Sequence, residues 1–154
     1  AYSYYGAPSR QGGTNPPLKV SSFTLNSKIE GPEAITSIRQ LHIGSVEKVT
    51  NAVIAMYLDP SSNRMHLWLA RFADEKDAGE SLIDMVSGMK KRPELGYAPK
   101  SYSLKGVEVY VSATGGNLHL FWAQKNYVIY ILLSNTPLEK SLDVASEVIS
   151  TMGF

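Results

Sequence analysis

Three histidines, His42, His66 and His119, are the residues of this chain best suited by type to metal or acid–base chemistry. Three imidazoles around an open position are what catalytic zinc uses. Their spacing gives such a site no support. They fall at a helix end and on two separate strands, without the His-x-x-x-His interval that sets two ligands on one helical face. A metal-dependent enzyme is therefore the third-ranked reading, and neither a metal ligand set nor a cofactor is assigned. His119 stands out singly, because it follows Gly115-Gly116 and precedes Phe121-Trp122, a titratable ring among aromatics beside a turn. With Trp122, Tyr97 and Tyr102 it makes the candidate ligand- or partner-binding set. The competing reading of His119 is a hydrogen-bonded, half-buried histidine with a purely structural role.

Other motifs resolve into structure. Gly115-Gly116 leads from a strand into another strand, whereas a phosphate cradle leads into a helix N-terminus, so the pair reads as a hairpin turn. Gly-x-Ser-x-Gly, a Walker lysine and His-Glu-x-x-His are absent, and no catalytic residue is assigned. Asp74, Asp77, Glu80 and Asp84 lie toward a helix start and Lys90-Lys91-Arg92 at its end, where the helix dipole favours each sign of charge. Trp68 and Trp122 sit in apolar strands with few cations nearby, which is the pattern of core and not of a nucleic-acid platform.

The elements that must position these residues follow from periodicity. Leu18, Val20, Phe23 and Leu25 suggest a strand whose alternation slips at Ser21-Ser22, marking a bulge or strand end. Pro32 suits a first helical turn, and Ile35, Ile38 and Leu41 recur at helical intervals over 33–42. Ala52 to Leu58 and Met65 to Phe72 flank the turn formers of 59–63 as a β-hairpin. Ala78, Leu82, Met85, Val86 and Met89 then share one helical face, and Pro93 stops the helix. Residues 92–105, with Pro93 and Pro99, read as a loop crossing the domain. Strands follow over 107–113, 118–123 and 127–133. Thr136-Pro137-Leu138-Glu139 reads as a capping box opening a last helix with Leu138, Leu142, Ala145, Val148, Ile149 and Met152 inward.

Both halves of the chain thus read as hairpin followed by helix. Laying Met65 on Val128, Leu67 on Tyr130 and Met85 on Val148 matches apolar positions throughout, the pattern of an internal duplication or of two units that merely share element periods. Either origin predicts an α+β fold: an antiparallel sheet built from two hairpin-helix units, with the helices packed on the sheet. Domain organisation is a flexible N-terminal arm over 1–17, carrying Tyr2, Tyr4 and Tyr5, and one α+β domain over 18–154.

Composition narrows function further. The 154 residues carry 15 basic and 14 acidic side chains, a net charge of +1, so no strong field draws nucleic acid or an anionic surface. Cysteine is absent, which removes disulfides, thiolate metal sites and thiol nucleophiles together. The longest apolar run, 127–133, is far shorter than the roughly 20 residues of a membrane span. The chain opens on Ala1, a small residue of the kind found at signal-peptidase sites, so the expectation is an extracellular or cell-envelope protein, exported or anchored upstream, with the cytoplasm as the alternative. The leading functional expectation is a non-enzymatic accessory domain that binds a partner protein or small ligand. The alternative is a self-assembling structural subunit in which 18–25 is a donated strand, with Leu18, Val20, Phe23, Leu25, Tyr4 and Tyr5 as the assembly residues and copies of itself as partner.

Overall fold

A computed structural model describes residues 15–40, 47–92 and 99–152. Tyr4, Tyr5, His42 and Tyr97 lie outside the described residues. The fold is α+β, and the described residues form one antiparallel eight-stranded sheet and three helices. In chain order the elements are β1 (Lys19–Val20), β2 (Phe23–Glu30), α1 (Pro32–Gln40), β3 (Val49–Leu58), β4 (Arg64–Phe72), α2 (Glu75–Lys90), β5 (Lys100–Leu104), β6 (Val107–Thr114), β7 (Asn117–Gln124), β8 (Tyr127–Ser134) and α3 (Leu138–Met152). Among the described residues no helix is long and apolar enough to cross a membrane.

The strands form two meanders, β1 to β4 and β5 to β8. They join at the middle of the sheet, where β4 pairs with β8, so the order is β1-β2-β3-β4-β8-β7-β6-β5. The turns have local causes. Gly115 and Gly116 both take positive φ, 55° and 85°, as a two-residue turn that matches strand twist requires. Asp59 accepts from the Ser61 and Asn63 N–H groups and from the Asn63 side-chain amide, folding the β3–β4 connection back on itself. The expected slip at Ser21-Ser22 is a turn between β1 and β2, with Ser21 at φ 55°.

Alternation along each strand supplies two cores, one on each face. On one face Val53, Tyr57, Met65, Leu67, Leu69, Leu120, Trp122, Ile129, Ile131 and Leu133 pack with Val144, Ala145, Val148 and Ile149 of α3. On the other, Ala52, Ala70, Phe72, Phe121, Val128 and Tyr130 pack with Ala34 and Ile38 of α1 and Met85, Val86 and Met89 of α2. Positions equated by overlaying the two halves therefore face opposite ways: Met65, Leu67 and Leu69 look toward α3, Val128, Tyr130 and Leu132 toward α1 and α2. Their two helices differ in the same sense.

Helix α3 ties both ends of the sheet together. Glu147 accepts from the Ser21 N–H at 2.7 Å beside β1, and Ser150 bonds the Lys105 ammonium at 2.6 Å beside β5. Lys140 lies over the Phe23 ring, 5.8 Å from its centroid. The helix also begins one residue later than the capping box implies, and Leu138, expected on its buried face, is exposed in its first turn. Its first i→i+4 bond runs from the Ser141 N–H to the Pro137 carbonyl, and the Thr136 hydroxyl donates back to Ser134. At α2 the cap is Asp74, which accepts from the Asp77 N–H.

Two sequence expectations are corrected or refined. The crossing loop over 92–105 contains a strand, β5, whose residues 100–104 pair with β6 in unbroken register. Tyr102 and Leu104 alternate with Ser101 and Ser103, a period-two pattern obscured by the prolines before it. The segment 18–25 is part of the chain's own sheet: Val20 and Phe23 are completely buried under α3, Leu25 is partly buried, and Leu18 is 77% exposed. The described chain starts already docked, for Pro16 is buried and the Pro17 carbonyl accepts from the Tyr57 hydroxyl at 2.6 Å. Phe23→Ala is expected to cost about 3–5 kcal/mol in urea unfolding. Leu18→Ala is expected to stay within about 0.5 kcal/mol, and equal losses from the two would contradict this placement.

Candidate functional site

The face shared with α1 and α2 is built in rows, because antiparallel register sets side chains of neighbouring strands side by side. Ala52, Ala70 and Val128 make one row, buried under the helices. In the next row Ile54, Trp68, Tyr130, Phe121 and Tyr110 cross five strands in register. Four of these are aromatic and stack in sequence: Trp68 on Tyr130 at 4.7 Å, Tyr130 on Phe121 at 5.5 Å, and Phe121 on Tyr110 at 5.9 Å between centroids. Each contact of this kind contributes about 0.5–1.5 kcal/mol beyond area burial. Tyr130 and Phe121 are buried, while Trp68, Ile54 and Tyr110 are half-buried.

One row further from the helix-covered zone come Met56, His66, Leu132, His119 and Ser112. The first four are half-buried and Ser112 is buried, with no hydrogen-bond partner for its hydroxyl. Beyond them Leu58, Arg64, Ser134, Asn117 and Thr114 form a mostly polar rim. The arrangement is an apolar floor interrupted by two imidazoles.

His119 is held at both ring nitrogens. Nδ1 lies 2.6 Å from the Tyr130 hydroxyl and Nε2 lies 2.6 Å from the Thr114 hydroxyl. A neutral imidazole has one donor and one acceptor nitrogen, and each hydroxyl serves in either sense, so both tautomers satisfy the chain. Tyr130 in turn is clamped between Trp68 and Phe121, which fixes the hydroxyl that fixes the histidine. With both nitrogens engaged, His119 orients its surroundings and has no lone pair aimed outward for general-base work.

His66 and His119 flank Leu132 on the same face, two strand spacings apart, about 10 Å between backbones. Among the described residues no group of three or more His, Asp, Glu or Cys side chains is placed to hold a metal ion.

The other members of the sequence-derived binding set are placed elsewhere. Trp122 is fully buried on the α3 face, where its indole N–H donates to Gln124, whose amide donates to the Ile149 carbonyl. Tyr102 is also on that face, partly buried against the same core. The structure therefore does not bring Trp122 and Tyr102 together with His119. It brings in Trp68, His66, Met56 and Leu132 instead. Strand alternation alone lists these residues as one-face sets within each strand, but the parity that unites them across strands is set by register.

No family model matches the chain, and no curated protein matches it in sequence. Among solved structures it is similar to a protein of Thermotoga maritima described as a GTP binding regulator, with 10% sequence identity, a TM-score of 0.49, and coverage of 94% of this chain and 88% of that one. A likeness at that level carries no inference about function.

Burial holds the His119 imidazole below its ordinary pKa, and burial followed by the neighbouring Arg64 charge does the same for His66. The folded state thus prefers neutral rings, whereas the unfolded chain takes up protons near pH 6.5. Stability is complete above about pH 7 and is lost as pH falls through about 6.5 toward the folded-state values. Urea midpoints are expected to decline over that window, before the carboxylates titrate. His119→Asn and His66→Gln together should flatten the decline, and a midpoint already constant in the parent chain from about pH 7 to 5 would contradict the burial of these rings.

Proposed function

We propose that this chain is a non-enzymatic accessory domain, exported or membrane-anchored, that binds a compact ligand on the open part of its α1/α2 face. The observation that carries the reading is the in-register row of Met56, His66, Leu132 and His119 beside Trp68, half-buried between the aromatic row on one side and the polar rim on the other. Apolar side chains supply contact area there, and His66 supplies a hydrogen-bonding group within it. This combination suits a small molecule, or a short side-chain motif of a partner protein, with a flat apolar body and one or two polar groups. The engagement of both His119 nitrogens supports binding over catalysis. The alternative of a subunit that donates residues 18–25 gains no support from the burial of Val20 and Phe23 in the chain's own core.

Trp68 is half-buried on the proposed seat while Trp122 is fully buried on the other face, which separates their fluorescence. Small aromatic fragments are expected to perturb Trp68 emission, and Trp68→Phe should abolish the signal. Met56→Ala and His66→Ala should each weaken binding about tenfold, which is 1.4 kcal/mol, with unchanged circular dichroism. Fragments that bind these variants as tightly as the parent would place the seat elsewhere.

A further inference from the structure

The eight-stranded sheet ends in two very different edges. On the β1 side the edge is short: β1 is two residues long, the Leu25 N–H still reaches the Leu18 carbonyl at 2.9 Å, and the chain before it is Pro16-Pro17, which has no N–H to donate. Beyond that point the outer side of β2 is protected by a register shift between Leu25 and Ser27 and by the exposed Lys28–Glu30 ion pair, 3.4 Å apart. Bulges and charges are the usual devices that stop a sheet edge from pairing with another chain. The β5 edge has neither at its centre. Lys100–Leu104 runs in unbroken register against β6, and among the described residues no strand pairs with its outer side.

The residue pattern of β5 also fits itself. Ser101 and Ser103 flank Tyr102 symmetrically, all three uncharged. A two-fold axis through Tyr102 would set Tyr102 against its copy, Ser101 against Ser103 and Lys100 against Leu104, with no like charges directly opposed. The two Lys100 residues would stand four residues apart along the strands, about 13 Å, beyond a Debye length at physiological salt. The Lys105 ammonium is drawn away to Ser150 on α3. Tyr102 and Leu104, each half-buried on the α3-side core, would continue that apolar layer from one copy into the next.

We propose that β5 is a homodimer interface, at which two copies of the chain pair antiparallel through Tyr102 into one continuous sheet. The contact is isologous and closed, so it yields dimers and not filaments. Five residues per strand cover less than a standard interface, which makes the dimer weak and concentration-dependent. It lies at the sheet edge and is independent of the ligand face.

The test is light scattering on the full chain over a concentration series, with variants at the two exposed serines. The parent chain should move from monomer to dimer. Ser101→Lys with Ser103→Lys sets like charges against each other across the two-fold and should leave only monomer. Ser101→Glu with Ser103→Lys sets opposite charges there and should restore or strengthen the dimer. Circular dichroism confirms that each variant is folded. A parent chain that stays monomeric to its solubility limit overturns the proposal, as does a dimer indifferent to both pairs of substitutions.

Discussion

The pairing of β4 with β8 is the contact on which the rest of the molecule depends. Residues 65–71 meet 127–133, partners that lie 56 to 68 residues apart in the chain, and this seam converts two four-stranded meanders into one sheet. Closing so long a loop has an entropic cost that only non-local packing offsets. Here the seam is apolar on both sides: Met65, Leu67, Ile129, Ile131 and Leu133 are completely buried toward α3, and Ala70, Val128 and Tyr130 are buried toward α2. The central strands are thus covered along the α3 face and, at Ala70, Val128 and Tyr130, on the other, which leaves Trp68, His66 and Leu132 half-buried.

The same seam determines what lies beside what on the α1/α2 face. Opposing Trp68 to Tyr130 starts the aromatic stack that runs on through Phe121 to Tyr110. The stack immobilises Tyr130, whose hydroxyl fixes His119, and the next pair on that face, two residues along, brings His66 up to Leu132. Core packing and the candidate ligand seat are consequently one construction. A slip of a single residue at β4 and β8 would turn Trp68 and His66 toward α3 and dismantle both.

Much of the fold is legible in the sequence, because period-two runs bounded by Asp59–Asn63 and Gly115-Gly116 declare hairpins, and the 3.6-residue spacing of Ala78, Leu82, Met85 and Met89 declares a helix. Less legible is anything that depends on strands distant in the chain. Trp68 and Trp122 occupy similar apolar strands, yet one is half-buried beside the seat and the other is completely buried under α3, because the register of the seam gives them opposite faces. Grouping His119 with Trp122 and Tyr102 followed closeness in sequence, although alternation sets residues three apart in one strand on opposite faces, whereas the sheet groups it with His66, Met56 and Leu132 from three other strands. Strand β5 escapes notice because five residues between proline-rich chain and a turn carry little hydrophobic signal. Position His119 itself was readable as a satisfied histidine, and its two hydroxyl partners give that reading its geometry.

The central claim is that the seam gathers His66 and His119 onto one ligand-binding face, and imidazole nitrogen NMR on the labelled full chain tests it most directly. Addition of a bound aromatic fragment should shift the resonances of both rings together with the Trp68 indole, while the Trp122 indole, buried on the opposite face, keeps its position. A fragment that moves Trp122 and leaves both histidines unchanged would contradict the account.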